Sequence, residues 1–172
     1  MFVKQAEKFE KNLTDGDYTA HCFAVIDLGR QWTEFEGQGK FVRQVALGFR
    51  ILEGNRFWLI LTASLHEKAK LRAYLESWRG RPFTEKELNG FDLNTILGVP
   101  VLVTLTEKNG YLNITKLKKP AKEVVSLEEG IAFVYDAQNE ANFSRCPKWI
   151  QEKILNQDIG PSSGETGTDV PF

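Results

Sequence analysis

Phe57-Trp58-Leu59-Ile60-Leu61-Thr62-Ala63-Ser64-Leu65-His66-Glu67-Lys68-Ala69-Lys70-Leu71-Arg72-Ala73-Tyr74-Leu75-Glu76-Ser77-Trp78-Arg79-Gly80 changes its hydrophobic period part-way along. Up to Ala63 the side chains alternate. Phe57, Leu59, Leu61 and Ala63 form one wholly apolar set and Trp58, Ile60, Thr62 and Ser64 the other, so the run reads as a strand with the first set inward. From Leu71 the apolar residues recur at helical spacing, through Leu75 and Trp78, and stop at Gly80. Ser64 followed three positions later by Glu67 predicts a capping box and a helix of about four turns.

Upstream, Tyr18 to Leu28 is rich in Val, Ile, Phe and Thr and predicts strand one, ending at Gly29. A long polar and aromatic loop is expected from Arg30 to Lys40. Val42 to Leu52 then alternates over Val45, Leu47, Phe49 and Ile51 as strand two. Downstream, Thr84 and Glu87 predict a second capping box and a short helical turn. Val99 to Thr106 and Tyr111 to Lys116 flank Asn109-Gly110, the strongest short-range hairpin signal, and give strands four and five. The order is three strands, a helix, then two strands, which is that of the OB-fold, a small Greek-key barrel. Other small barrels share five strands, so the order narrows the choice without settling it. The expected fold class is mainly β with helices, a five-stranded barrel with a helix between strands three and four.

After Pro120 the chain changes character. Ser126 to Tyr135 can add a short strand, and Cys146-Pro147-Lys148 opens a C-terminal helix whose Trp149, Ile150 and Ile154 form one apolar stripe against the barrel. The expected division is an N-terminal arm (1–17), a barrel (18–120), an extension (121–157) and a flexible tail (158–172). Charge follows this division. Residues 18–120 hold 15 Lys/Arg against 10 Asp/Glu, whereas residues 121–172 hold 4 against 9. A basic body with an acidic end suits a body that holds a polyanion while the tail addresses something else.

Several function classes lose support. No apolar run is long enough to cross a bilayer and the N-terminus has no signal-peptide apolar region, so the expectation is a cytoplasmic protein without a membrane partner. Cys22 and Cys146 stand alone and read as buried thiols. His21 and His66 are in no metal-ligand spacing, and no P-loop, nucleophile elbow or acid cluster is present. The reading is a non-enzyme that uses no cofactor and no metal.

An OB barrel binds single strands on the face of strands two and three, aided by the loops joining strands one to two and four to five. Trp32, Phe35 and Phe41 with Arg30 and Lys40 fall in the first loop. Arg43, Arg50, Arg56 and Trp58 lie on or beside the central strands, Lys108 and Tyr111 at the second loop, and Lys116 on strand five. Rings stack on bases of any sequence at about 1 to 3 kcal/mol each while cations follow the phosphates, so these twelve are the candidate nucleic-acid contacts. Phe49 reads as core.

The chain as given closes on Asp169-Val170-Pro171-Phe172, after a Gly/Ser/Thr-rich stretch that buries too little apolar surface to fold alone. These four residues are the candidate partner-binding tip. They resemble the acidic Asp-Ile-Pro-Phe type C-terminus of bacterial single-stranded DNA-binding proteins, with fewer acids, only Glu165 and Asp169 being near. The stretch Ser64 to Phe83, including Ser77-Trp78-Arg79-Gly80-Arg81-Pro82-Phe83, is similar to a family of small bacteriophage proteins. Gly90-Phe91-Asp92-Leu93, Leu97-Gly98, Asn113-Ile114 and Pro147 to Ile154 extend the likeness over roughly 18–155. The resemblance implies an OB-fold single-stranded DNA-binding protein of a replication or recombination module, whose tip recruits partner enzymes. It supplies no base-contacting residue. The competing expectation is an OB-fold adaptor or decoy that engages host replication or repair enzymes without binding DNA. A homodimer is compatible with either, and no interface is legible.

Overall fold

The computed structural model describes residues 13–52, 54–120 and 124–158. Its centre is a six-stranded, mainly antiparallel sheet formed by β1 (Gly16–Phe35), β2 (Gln38–Ile51), β3 (Arg56–Thr62), β4 (Pro100–Lys108), β5 (Tyr111–Lys118) and β6 (Phe133–Tyr135). Hydrogen bonds run in the order β3-β2-β1-β4-β5, and β6 adds to β1 in parallel. The sheet curls until β3 comes near β5, so that one face encloses a core. Five strands are those read from the sequence. The sixth falls at the end of the stretch expected to add one.

The alternation within the strands decides what lies inside. Val45, Leu47, Phe49 and Ile51 of β2 join Val101, Val103 and Leu105 of β4 and Leu61 of β3 in the enclosed core, with Phe57, Leu59 and Ala63 packed on it. This is the inward set predicted for strand three. Phe49 is fully buried and meets Trp78 edge-on at 5.7 Å.

Trp78 belongs to α1 (Lys70–Arg79), which closes the barrel with Leu71 and Leu75 and ends at Gly80 in the left-handed conformation that glycine adopts most easily. The Ser64–Glu67 capping box does not form. Ser64 Oγ accepts instead from the His66 backbone N–H, and His66 Nδ1 from that of Lys68. These local bonds stabilise a turn, so the helix begins only at Lys70. At α2 (Glu85–Leu88) the predicted box is complete: Thr84 Oγ1 accepts from the Glu87 N–H at 3.2 Å and Glu87 Oε1 from that of Thr84 at 2.9 Å.

A carboxylate ties these connectors to the helix. Glu76 Oε2 accepts from the Phe83 backbone N–H at 2.8 Å and from Arg72 Nε at 3.2 Å. The Phe83 N–H and then Arg72 hold its carboxyl below the ordinary value. A carboxyl lowered on folding stabilises the native state above its unfolded pKa, and that contribution disappears as pH falls through the folded one. Glu76→Gln should therefore lower Tm at pH 7, and the gap from the parent should close at pH values below the usual carboxylate range. A gap that stays constant down to pH 3 would contradict this.

The outer face of β1 to β3 is not open. Phe23, Ala24, Ile26 and Leu28 of β1 and Ala46 of β2 form a second core with Phe133, Cys146, Ile150 and Ile154 from the C-terminal extension. Ile150 and Ile154 lie on α3 (Lys148–Leu155) and are buried as the stripe predicted, while Trp149 stays 43% exposed. Both thiols are buried and free, and burial pushes Cys22 up to about 12 and Cys146 up to about 11. Neither is a nucleophile at neutral pH.

Candidate nucleic-acid interface

Residues 30–40, expected as a loop, are strand. β1 and β2 run on past the barrel as a hairpin arm, paired through Arg30↔Arg43, Trp32↔Phe41, Thr33↔Lys40 and Phe35↔Gln38. Glu36 and Gly37 make the turn with φ of 51° and 80°, the two positive angles of a type I′ hairpin. The sequence hid this because the turn lacks the usual Asn-Gly or Asp-Gly, and glycines at 29, 37 and 39 read as loop. Bulges after Cys22 and Asp27 shift the register. Asp27 Oδ1 accepts from the Gly29 N–H at 2.9 Å, and the Gln157 side chain occupies the place where a Cβ on Gly29 would stand.

Register settles which way the arm's side chains point. Phe41, Arg43 and Val45 alternate along β2 and so share a face, and Val45 is in the enclosed core. Trp32 and Arg30, directly opposite Phe41 and Arg43, therefore prolong the barrel's inner face beyond its end. Trp32 is 56% exposed and Phe41 40%, and their rings meet edge-on at 5.1 Å. The indole lies across Gly39, where an added Cβ would come within 1.9 Å of it. Arg30 stands 5.8 Å over the Phe41 ring and 3.4 Å from Asp158. Arg43 is paired with Asp27, whose hydrogen bond and charge hold the guanidinium above its ordinary pKa. A cavity of about 350 Å³ opens at the arm's root, lined by Val25, Asp27, Arg43, Ser64, Asn94 and Tyr135 among others. Phe35 and Lys40 lie on the arm's opposite face, and both are exposed.

The remaining candidates lie elsewhere, and the twelve do not share one face of β2 and β3. Trp58, paired with Gly48, lies on the outer sheet face, opposite that of Trp32. It packs into the second core, edge-on to Phe23 at 5.2 Å and to Trp149 at 6.1 Å, and is half-buried. Gly48 permits this, since a Cβ there would meet the Phe23 and Trp58 rings, each at 2.8 Å. Arg50 and Arg56 are direct cross-strand partners on the same face. Lys108 and Tyr111 flank the Asn109-Gly110 turn, with Tyr111 74% exposed, and Lys116 lines a shallow groove with Lys70, Tyr74 and Ser77 of α1. Residues 169–172 lie outside the described residues. Arg145 and Trp149 of the extension stand beside Arg56 and Trp58 and are outside the twelve candidates, because Trp149 falls in the apolar stripe and Arg145 carries no local signal.

Among the described residues no group of three or more His, Cys, Asp or Glu is placed to hold a metal ion, and no helix is long and apolar enough to cross a membrane. His21 is buried with Nε2 2.6 Å from the Val125 carbonyl, as a structural histidine. No model of a known protein family matches the chain, and no curated protein is significantly similar to it.

Proposed function

We propose that the protein binds single-stranded DNA with little sequence preference, as an OB-fold protein of a phage replication or recombination module. The hydrogen-bonded order β3-β2-β1-β4-β5 supports the fold reading, because it is that of an OB barrel opened between β3 and β5. One observation carries the functional reading. Trp32 and Phe41 present two exposed rings side by side on the arm, with Arg30 and Arg43 next along the same face. Rings offer stacking to any base and the guanidiniums offer charge to the phosphates between them, without a directional code for sequence. Asp158 and Asp27 already accompany those two cations, so affinity should be moderate and sensitive to salt.

Titration of intrinsic fluorescence with unlabelled oligo(dT) tests this. Trp32 emission should quench, and log K against log salt should fall with a slope of about −0.7 per phosphate contacted. No quench at low salt would overturn the reading in favour of a protein adaptor. In the same proposal Asp169 to Phe172 form the tip that recruits partner enzymes. Phe172→Ala should then impair recruitment more than Asp169→Asn, because few acids accompany the ring.

A further inference from the structure

The outer face of the sheet carries a concentration of positive charge that the arm does not use. Arg50 and Arg56 are opposite one another on β2 and β3, and Arg145 reaches the same place from the extension. Two of them lie on adjoining rings: Arg56 is 4.7 Å over Phe23 and Arg145 is 4.5 Å over Phe133, with the rings themselves 6.3 Å apart. Among the described residues no carboxylate pairs with any of the three. Among the described residues Arg145 donates to the Gly130 and Ile131 carbonyls, which fix its direction without neutralising it. The burial of Arg56 and the charges of Arg50 and Arg145 oppose its protonation, yet a guanidinium stays cationic at neutral pH. Three like charges gathered on one face, two of them over aromatic rings, repel one another in the free protein, and an anion placed among them removes that repulsion.

We propose that Arg50, Arg56 and Arg145 form a phosphate-binding site for a nucleic-acid strand, separate from the arm, with Trp149 as its stacking ring. The choice of a nucleic acid over an acidic peptide comes from Trp149. This residue is 43% exposed, follows Lys148 in the chain and has its ring edge-on to Trp58 at 6.1 Å, so a strand whose phosphates occupy the arginines finds an aromatic ring beside them. The C-terminal extension is then a working part of the interface as well as a cover for the second core. The occupant rests on the reading of the protein as a single-strand binder, and the second site itself does not depend on the arm.

The test is a titration of the full chain with a single-stranded oligonucleotide, followed by the indole N–H resonances of its four tryptophans in nitrogen–proton correlation spectra. Trp78, whose Nε1 donates to the Pro100 carbonyl at 2.8 Å inside the fold, is the internal reference and should not move. Movement of Trp149 along with Trp32 supports both sites. Movement of Trp32 with Trp149 still overturns the second site and leaves the arm reading standing. Movement of Trp149 with Trp32 still does the reverse. If neither moves, both fail. Arg145→Gln and Arg56→Gln should each lower the salt slope by about 0.7 while Tm stays near the parent value. An unchanged slope in both variants would overturn the phosphate contacts. Poly-Glu of matched charge is the competitor: displacement of the Trp149 shift by poly-Glu as readily as by the oligonucleotide would overturn the choice of a nucleic acid.

Discussion

Trp32→Ala is expected to weaken binding of a single-stranded oligonucleotide by about 1 to 3 kcal/mol, roughly five- to 150-fold, with almost no change in Tm. The two halves of that expectation have one cause. Trp32 is more than half exposed on an arm that projects past the barrel, so little burial is lost when it is removed. Its contribution to stability is limited to an exposed edge-on contact with Phe41 at 5.1 Å and an exposed hydrogen bond from Nε1 to Glu34 Oε1 at 3.4 Å. Stacking on a base, in contrast, uses the face that folding leaves free. Gly39→Ala supplies a second route to the same result. The new methyl would overlap the indole, which must swing off the strand, so the ring is kept while its position is lost. Fluorescence anisotropy of a labelled oligonucleotide measures both variants. Full affinity in Trp32→Ala would remove the arm from the interface, and full affinity in Gly39→Ala alone would mean that the ring's placement is unimportant.

Phe23→Ala should have the largest effect on stability, about 3 to 5 kcal/mol, a large fraction of what holds a domain of this size folded. Phe23 is almost completely buried on the outer face of β1, where it meets Trp58 at 5.2 Å, Phe133 at 6.3 Å and the Arg56 guanidinium at 4.7 Å. Its loss leaves a cavity between sheet and extension and takes away the support of one arginine of the outer patch. Urea unfolding gives the magnitude, and hydrogen exchange locates it. Protection should fall first in residues 131–155, whose attachment depends on this core, and later in β4 and β5. A loss under about 1 kcal/mol would show that the extension repacks over the gap and that the second core is not tightly interlocked.

Much of this was legible from the residues alone, for reasons of local physics. Alternation identified the inward face of β3 because a strand's side chains point to opposite sides by geometry, and Leu61 with Phe57 and Leu59 is where that rule puts them. Asn109-Gly110 fixed the β4–β5 hairpin because few residue pairs tolerate two positive φ angles. Thr84 with Glu87 closed its capping box because every partner is within four residues. Where a local signal had a local competitor it misled: Ser64 satisfied a turn, and the glycines of the arm read as a loop.

What the chain's own order determined, then, was most of the strands, the core-facing residues and the chemistry available, aromatic rings interleaved with cations. The tertiary structure decided where that chemistry is used. Cross-strand register put Trp32 beside Phe41 on one face, opposite that of Trp58; alternation alone places Phe41 and Trp58, but the side of Trp32 depends also on the bulge after Asp27, which no residue pattern announces. It also brought Arg145 from the far end of the sequence to Arg56, and laid the extension over the sheet face that sequence reasoning had assigned to the ligand. Proximity between residues about ninety positions apart follows from packing two apolar surfaces together, and burial of that kind is non-directional, so it leaves no motif to read.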